Sequence, residues 1–198
     1  MNDAYSELPL MRLFADEALI QKETIVKEVA VELHALNKQG HYEAYSTLLA
    51  TPTDLIELHA GHLYSEGYTD KIPSIDCLHV HENSDTQVLY NGCITIKPRQ
   101  QIVTSSCGAC NHPNLTVVRN EPINHDSRFS DVDLPQITNA LELLTRSMPL
   151  FHQSGGCHGT ALFSADGSID HVSEDIGRHN AVDKTIGKAI FSESTVFE

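Results

Sequence analysis

The chain has 198 residues, 40% of them hydrophobic, with five cysteines and a formal net charge of −14. That length suits one domain with a sizeable core, and the odd, scattered cysteines at 77, 93, 107, 110 and 157 exclude a dense secreted disulfide scaffold and indicate a reducing compartment. The acidic balance opposes nonspecific nucleic-acid binding, and with no leader-like N-terminus and no apolar run near the roughly 20 residues that span a bilayer, the expectation is a soluble cytoplasmic protein without membrane contact.

In VKEVAVELHAL, residues 26–36, Val29, Val31, Leu33 and Ala35 alternate with Glu28, Ala30, Glu32 and His34, which predicts a strand with one buried face. Thr51 as N-cap, Pro52 at the first helical position and Asp54 in the first turn predict a helix through DLIELHAGHLYSE that stops at Gly67. His59 and His62 share its apolar face with Leu55, Leu58 and Leu63, and are read as core histidines before they are read as ligands. In IDCLHVHE, Cys77, His79 and His81 fall on one face of an expected strand; zinc is a weaker reading, because three ligands on one short strand converge poorly on a tetrahedral centre. Asn91-Gly92 between VLY and CITI predicts a hairpin turn.

Asp133 and Pro135 open a predicted helix whose Ile137, Leu141, Leu144 and Met148 form a packing stripe. ALF and SIDHV around Asp166-Gly167 predict a second hairpin, and a last helix follows Gly177 with Val182, Ile186, Ala189 and Ile190 inward. Interleaved strands and helices predict an α/β (α+β) domain with a mixed sheet.

Chemistry concentrates in three places. SGGCHGT, residues 154–160, puts Gly155 and Gly156 beside His158, so that backbone N–H groups could approach a ligand. EDIGRHNAVDK, residues 174–184, gathers Arg178, His179, Asn180, Asp183 and Lys184 at a helix start, a candidate anion pocket in an acidic chain. TSSCGAC carries Cys107 and Cys110. As a zinc clamp the pair lacks a second C-x-x-C and would need Cys157, His158 or the Cys77 strand. As a thioredoxin-like dithiol it should open a helix, yet Asn111, Pro113 and Asn114 favour a turn. As a deaminase zinc site it should follow a proline, whereas Ser106 stands there. A persulfide carrier needs a nucleophilic thiolate among small residues on an accessible loop, which TSSCGAC supplies.

TSSCGAC, SGGCHGTALF, EDIGRHNAVDKTIG and TPTDLIELHAGHLYSEG together resemble the FdhD family of formate dehydrogenase accessory sulfurtransferases, over roughly residues 13–191. The resemblance implies a cytidine-deaminase-like three-layer α/β/α fold without the catalytic zinc, preceded by a small β-rich portion and dimeric. It implies one domain over 1–198, with an N-terminal portion at about 13–100 and a sulfurtransferase core at about 101–198. By the same resemblance, sulfur passes from a cysteine desulfurase through a persulfide on Cys107, aided by Cys110, to the molybdenum of a molybdopterin guanine dinucleotide cofactor before that cofactor enters the formate dehydrogenase apoenzyme. Gly155, Gly156, His158, Arg178, His179, Asn180, Asp183 and Lys184 would then frame the cofactor, with no permanent metal. His59 and His62 replace the Ala and Phe common in the family, and Asn111-His112 replaces its frequent Gly-Lys. The chain stops at SESTVFE, short of the family's S-G-R-x-S-x-E-M motif, so a truncated family pattern is expected. Two alternatives accompany this reading: a zinc-binding module using Cys107, Cys110, Cys157 and His158, and a noncatalytic scaffold that binds the cofactor.

Overall fold

The computed structural model describes residues 4–69, 71–82, 85–94, 102–103, 134–164 and 166–192. Strands β1 (Tyr5–Leu13) and β2 (Ala18–Val26) form an antiparallel two-stranded arm. A five-stranded sheet follows, in the order β5-β6-β3-β4-β7, built from β3 (Val29–Leu36), β4 (Tyr42–Ala50), β5 (Leu78–Glu82), β6 (Thr86–Cys93) and the short β7 (Ile102–Val103). β3 runs antiparallel to β4 and parallel to β6, so the sheet is mixed, as the interleaved pattern predicts. The predicted strand is β3, and its alternation is realised: Val31, Leu33 and Ala35 are buried.

Helix α1 (Leu55–Ser65) lays Leu55, Leu58, Ala60 and Leu63 over that sheet, against Val31, Leu33, Leu48, Leu78 and Val88. It ends as predicted at Gly67, whose φ of 65° is the left-handed cap that glycine adopts without penalty; Tyr68 N–H closes the turn on the Leu63 carbonyl at 2.9 Å. Its start differs from the expectation. Asp54, not Thr51, is the cap residue, with φ 49° and no side-chain capping bond. The Asp54 carboxylate instead pairs with Lys188 at 2.7 Å, and Thr51 is committed elsewhere, as shown below.

Three further expectations are corrected. Asn91-Gly92 is no turn: β6 runs through it, and its register against β3 jumps from Ala35↔Tyr90 to Leu36↔Cys93, which makes the dipeptide a bulge. Gly92 is required there because a Cβ would strike the Tyr90 ring. Cys77 lies in a 3-10 turn (Ile75–Cys77) before β5, leaving only His79 and His81 on one strand face, both exposed. The stripe of α2 (Leu134–Arg146) is only partly packed. Met148, just beyond its end, is buried and Leu144 half-buried, whereas Ile137 and Leu141 are 45% and 59% exposed. The expected cap Asp133 lies outside the described residues.

Helix α3 (Pro149–Ser154) leads into the predicted hairpin of β8 (His158–Phe163) and β9 (Ile169–Asp175), turning at Gly167 with φ 84°. Helix α4 (Arg178–Phe191) then packs on α1 and on the hairpin. Ala189 is buried as predicted and Ile186 and Ile190 are half-buried, but Val182 is 43% exposed. The inward side is carried by small and polar residues instead, because α1 and α4 approach too closely for large ones. A Cβ on Gly61 would strike the Asp183 backbone, and one on Gly187 the Glu57 backbone.

Candidate functional site

The end of β4, the end of β9 and the start of α4 meet in a buried polar knot. Asp175 is fully buried, and all its acceptor capacity is used. One oxygen accepts Thr51 N–H at 2.9 Å and lies 2.7 Å from Lys184 Nζ; the other accepts Gly177 N–H at 2.7 Å and Asn180 Nδ2 at 3.1 Å. Lys184, also fully buried, donates further to the Thr51 carbonyl at 2.9 Å. Burial pushes the lysine pKa down while the Asp175 charge opposes that shift. Thr51 Oγ1 accepts Ile176 N–H at 3.2 Å and Asn180 donates to the Leu49 carbonyl at 2.7 Å, so this knot ties the first turn of α4 to the sheet.

Asp183, one turn on, faces α1: it accepts Ser65 Oγ at 2.7 Å and pairs with His62 Nδ1 at 3.2 Å. Of the residues singled out from the EDIGRHNAVDK run, Asn180, Asp183 and Lys184 therefore point inward and hold the helix, whereas Arg178 and His179 are exposed at its first turn. His158, exposed at the start of β8, stands opposite Asp175 in the strand register. His158, Arg178 and His179 thus share one end of the hairpin–helix unit.

The glycine loop divides in a similar way. Gly155 closes α3 with φ 66° and donates to the Phe151 carbonyl at 2.7 Å, and Gly156 donates to Ser154 Oγ at 3.1 Å. The space beside Gly155 is open, and a Cβ on Gly156 would meet only Ser154, at ordinary contact distance. Behind them Glu174 caps α3, accepting Leu150 and Phe151 N–H at 2.9 and 2.8 Å. The Cys157 thiol lies 3.4 Å from the same carboxylate. Burial, and then that carboxylate, push its pKa up to about 12, so it stays a protonated thiol at neutral pH.

Among the described residues no group of three or more His, Cys, Asp and Glu side chains is arranged to hold a metal ion. Cys107 and Cys110 lie outside the described residues. Sequence reasoning recognised the cations of this region without separating the buried from the exposed ones, and assigned Thr51 to the wrong bond. The available signal was the helical spacing that sets Lys184 in line with Ala181 and Gly187, on the small-residue side of α4.

Among the described residues no helix is long and apolar enough to cross a membrane. The profile of the FdhD/NarQ family matches residues 26–197. The sulfur carrier protein FdhD of Saccharolobus solfataricus is 36% identical over 153 residues, covering 76% of this chain and 57% of that protein. Its namesake in Sulfurisphaera tokodaii is 34% identical over 152 residues, covering 75% and 56%. That of Mycolicibacterium paratuberculosis is 32% identical over 197 residues, covering 90% and 69%. The chain therefore spans somewhat more than half the length of the first two. A crystal structure of a protein proposed to be a formate dehydrogenase accessory protein, from Desulfotalea psychrophila, superposes with a TM-score of 0.69 at 20% identity, covering 96% of this chain and 71% of that one. This supports a shared mixed α/β fold.

Proposed function

The chain belongs to the FdhD/NarQ family, and on that premise we propose that it is a sulfur carrier acting as a sulfurtransferase in formate dehydrogenase maturation. The observation that carries the reading is the family match across residues 26–197, which takes in the TSSCGAC segment with its two thiols. Cys107 is the acceptor. Its thiolate attacks the sulfane sulfur of a cysteine desulfurase persulfide, a new S–S bond forms on Cys107, and the desulfurase leaves as thiolate.

Delivery then needs two electrons, because sulfane sulfur must become sulfide. The Cys110 thiol supplies them by attacking Cys107 at its persulfide bond, which releases sulfide and leaves a Cys107–Cys110 disulfide. The recipient substrate is molybdopterin guanine dinucleotide, sulfurated at molybdenum before insertion into the apoenzyme. His158, Arg178 and His179 are the exposed groups that could hold its phosphates, together with the exposed backbone of Gly155 and Gly156. Asn180, Asp183 and Lys184 support that surface from inside, through the bonds already described. The reading includes a cytoplasmic homodimer that meets the desulfurase and the apoenzyme in turn.

The test is incubation with a cysteine desulfurase and cysteine, followed by mass-spectrometric mapping of persulfide. Wild type should carry it on Cys107, Cys110→Ala should accumulate it there, and Cys107→Ala should carry none. A Cys107 that never gains sulfur overturns the proposal.

A further inference from the structure

The β1–β2 arm is unusual in what it leaves in water. Leu8, Leu10, Met11, Leu13, Phe14, Leu19 and Ile20 are between 44% and 77% exposed. The strand register sorts them onto both faces. Leu8, Leu10 and Leu19 lie on one, with Met11, Leu13 and Ile20 on the other and Met11 directly opposite Ile20. A two-stranded hairpin with neither face covered is marginal in water, and the main contact of this one with the body is made by β2 against α3. Met11, Leu13 and Ile20 make the more exposed face, at 60%, 77% and 69%, and an apolar patch of this kind on a soluble chain marks an interaction surface. Most of the arm precedes the region that the family profile matches, residues 26–197.

A second exposed apolar surface is found among the described residues. Leu134, Ile137 and Leu141 of α2 are 74%, 45% and 59% exposed, and as i, i+3 and i+7 positions they form one continuous stripe. Donor and acceptor surfaces on one chain are what a twofold assembly requires: each copy gives its arm and receives the other's, so a single contact is made twice. The arm's own charges do not oppose this. Arg12 pairs with Glu23 at 2.7 Å and Lys22 with Glu7 at 3.4 Å, so these four are already matched within each copy.

We infer that the β1–β2 arm is a dimerisation arm exchanged between two copies of this chain, its Met11–Leu13–Ile20 face seated on the Leu134–Ile137–Leu141 stripe of the other copy. This rests on the homodimer reading above and names the surface that forms it.

The experiment is light scattering of the full chain across a dilution series, for wild type, Met11→Glu/Ile20→Glu and Ile137→Glu/Leu141→Glu, with circular dichroism to establish that each is folded. Wild type should be a dimer and both variants monomers. Mixing the two variants should restore a heterodimer, since one intact arm still meets one intact stripe. A monomeric wild type, folded variants that still dimerise, or variants whose mixture stays monomeric would each overturn the inference. Should the variants not fold, hydrogen exchange of wild type at high and low concentration decides. Protection gained at Tyr5–Val26 and Leu134–Arg146 on concentration supports the arm, and protection gained only elsewhere refutes it. Persulfide loading of Cys107 is scored separately, so failure of the arm and failure of the sulfur-carrier reading are distinguishable.

Discussion

Replacing His59 by leucine should stabilise the protein at neutral pH and lessen its loss of stability in acid. The imidazole is fully buried among Tyr45, at 5.6 Å between ring centroids, and Tyr90, at 6.1 Å. Neither ring nitrogen meets a partner at good hydrogen-bonding geometry, and the Val88 backbone offers only a weak contact. Burial, then the neighbouring His62 and His34, hold its pKa well below 6.5, and the Val88 contact raises it less than these lower it. His62 is itself engaged with Asp183 and His34 with Glu32.

The sign follows from linkage. With the folded pKa depressed, the unfolded chain binds more protons below about pH 6.5, and folding loses about 1.4 kcal/mol per pH unit until the folded pKa is reached. The difference between the two proteins therefore widens as the pH falls below about 6.5. Leucine is of similar bulk and leaves no buried nitrogen unsatisfied, so about 1–2 kcal/mol should be gained at pH 7.5 as well. Urea melts of wild type and His59→Leu at pH 7.5, 6 and 5 measure both effects. Equal slopes of stability against pH in the two proteins would refute the reasoning.

Gly61→Ala and Gly187→Ala should each destabilise despite alanine's better helix propensity. The added Cβ meets the backbone of the facing helix, and the cost of forcing packed elements apart, about 1–3 kcal/mol, exceeds the roughly 1 kcal/mol of propensity gained; chemical denaturation reads the difference. Cys157 should alkylate far more slowly at pH 8 than exposed Cys93. With its pKa pushed up to about 12, only on the order of one thiol in 10⁴ is ionised there. Glu174→Gln should speed the reaction, as followed by mass spectrometry of the labelled peptides, because it removes the adjacent negative charge.

What was legible in the sequence is what depends on local pattern. The β3 alternation, the Gly67 stop, the Asp166-Gly167 hairpin and the start of α4 after Gly177 all come from period and backbone freedom within a few residues. What was not legible depends on partners distant in the chain. Thr51 resembles a helix cap until Asp175 and Ile176, 124 and 125 residues away, claim its backbone and hydroxyl. Asn91-Gly92 is a turn signal in isolation, yet β6 continues through it and its register against β3 shifts there. The β1–β2 arm gives no alternation to read, since apolar residues occupy both of its faces. Val182 follows the helical period, but the close α1–α4 contact sets a different inward side.

The same long-range effect divides the cations near the α4 start into two kinds, and the division is testable. Lys184 neutralises Asp175 out of contact with water, whereas Arg178 and His179 are exposed a turn or more earlier. Asp175, Asn180 and Thr51 secure the first turn from inside, so under the proposed function the exposed cations there would serve binding more than they serve folding. Lys184→Met should therefore lower stability by about 3–5 kcal/mol, since it leaves a buried carboxylate without its counter-charge. Arg178→Ala should cost far less stability than that, while weakening binding of a guanine nucleotide probe such as GDP several-fold by calorimetry. If Lys184→Met proves as stable as wild type, Asp175 is not the buried anion described. If Arg178→Ala binds the probe unchanged, the exposed end of α4 is not where the phosphates rest.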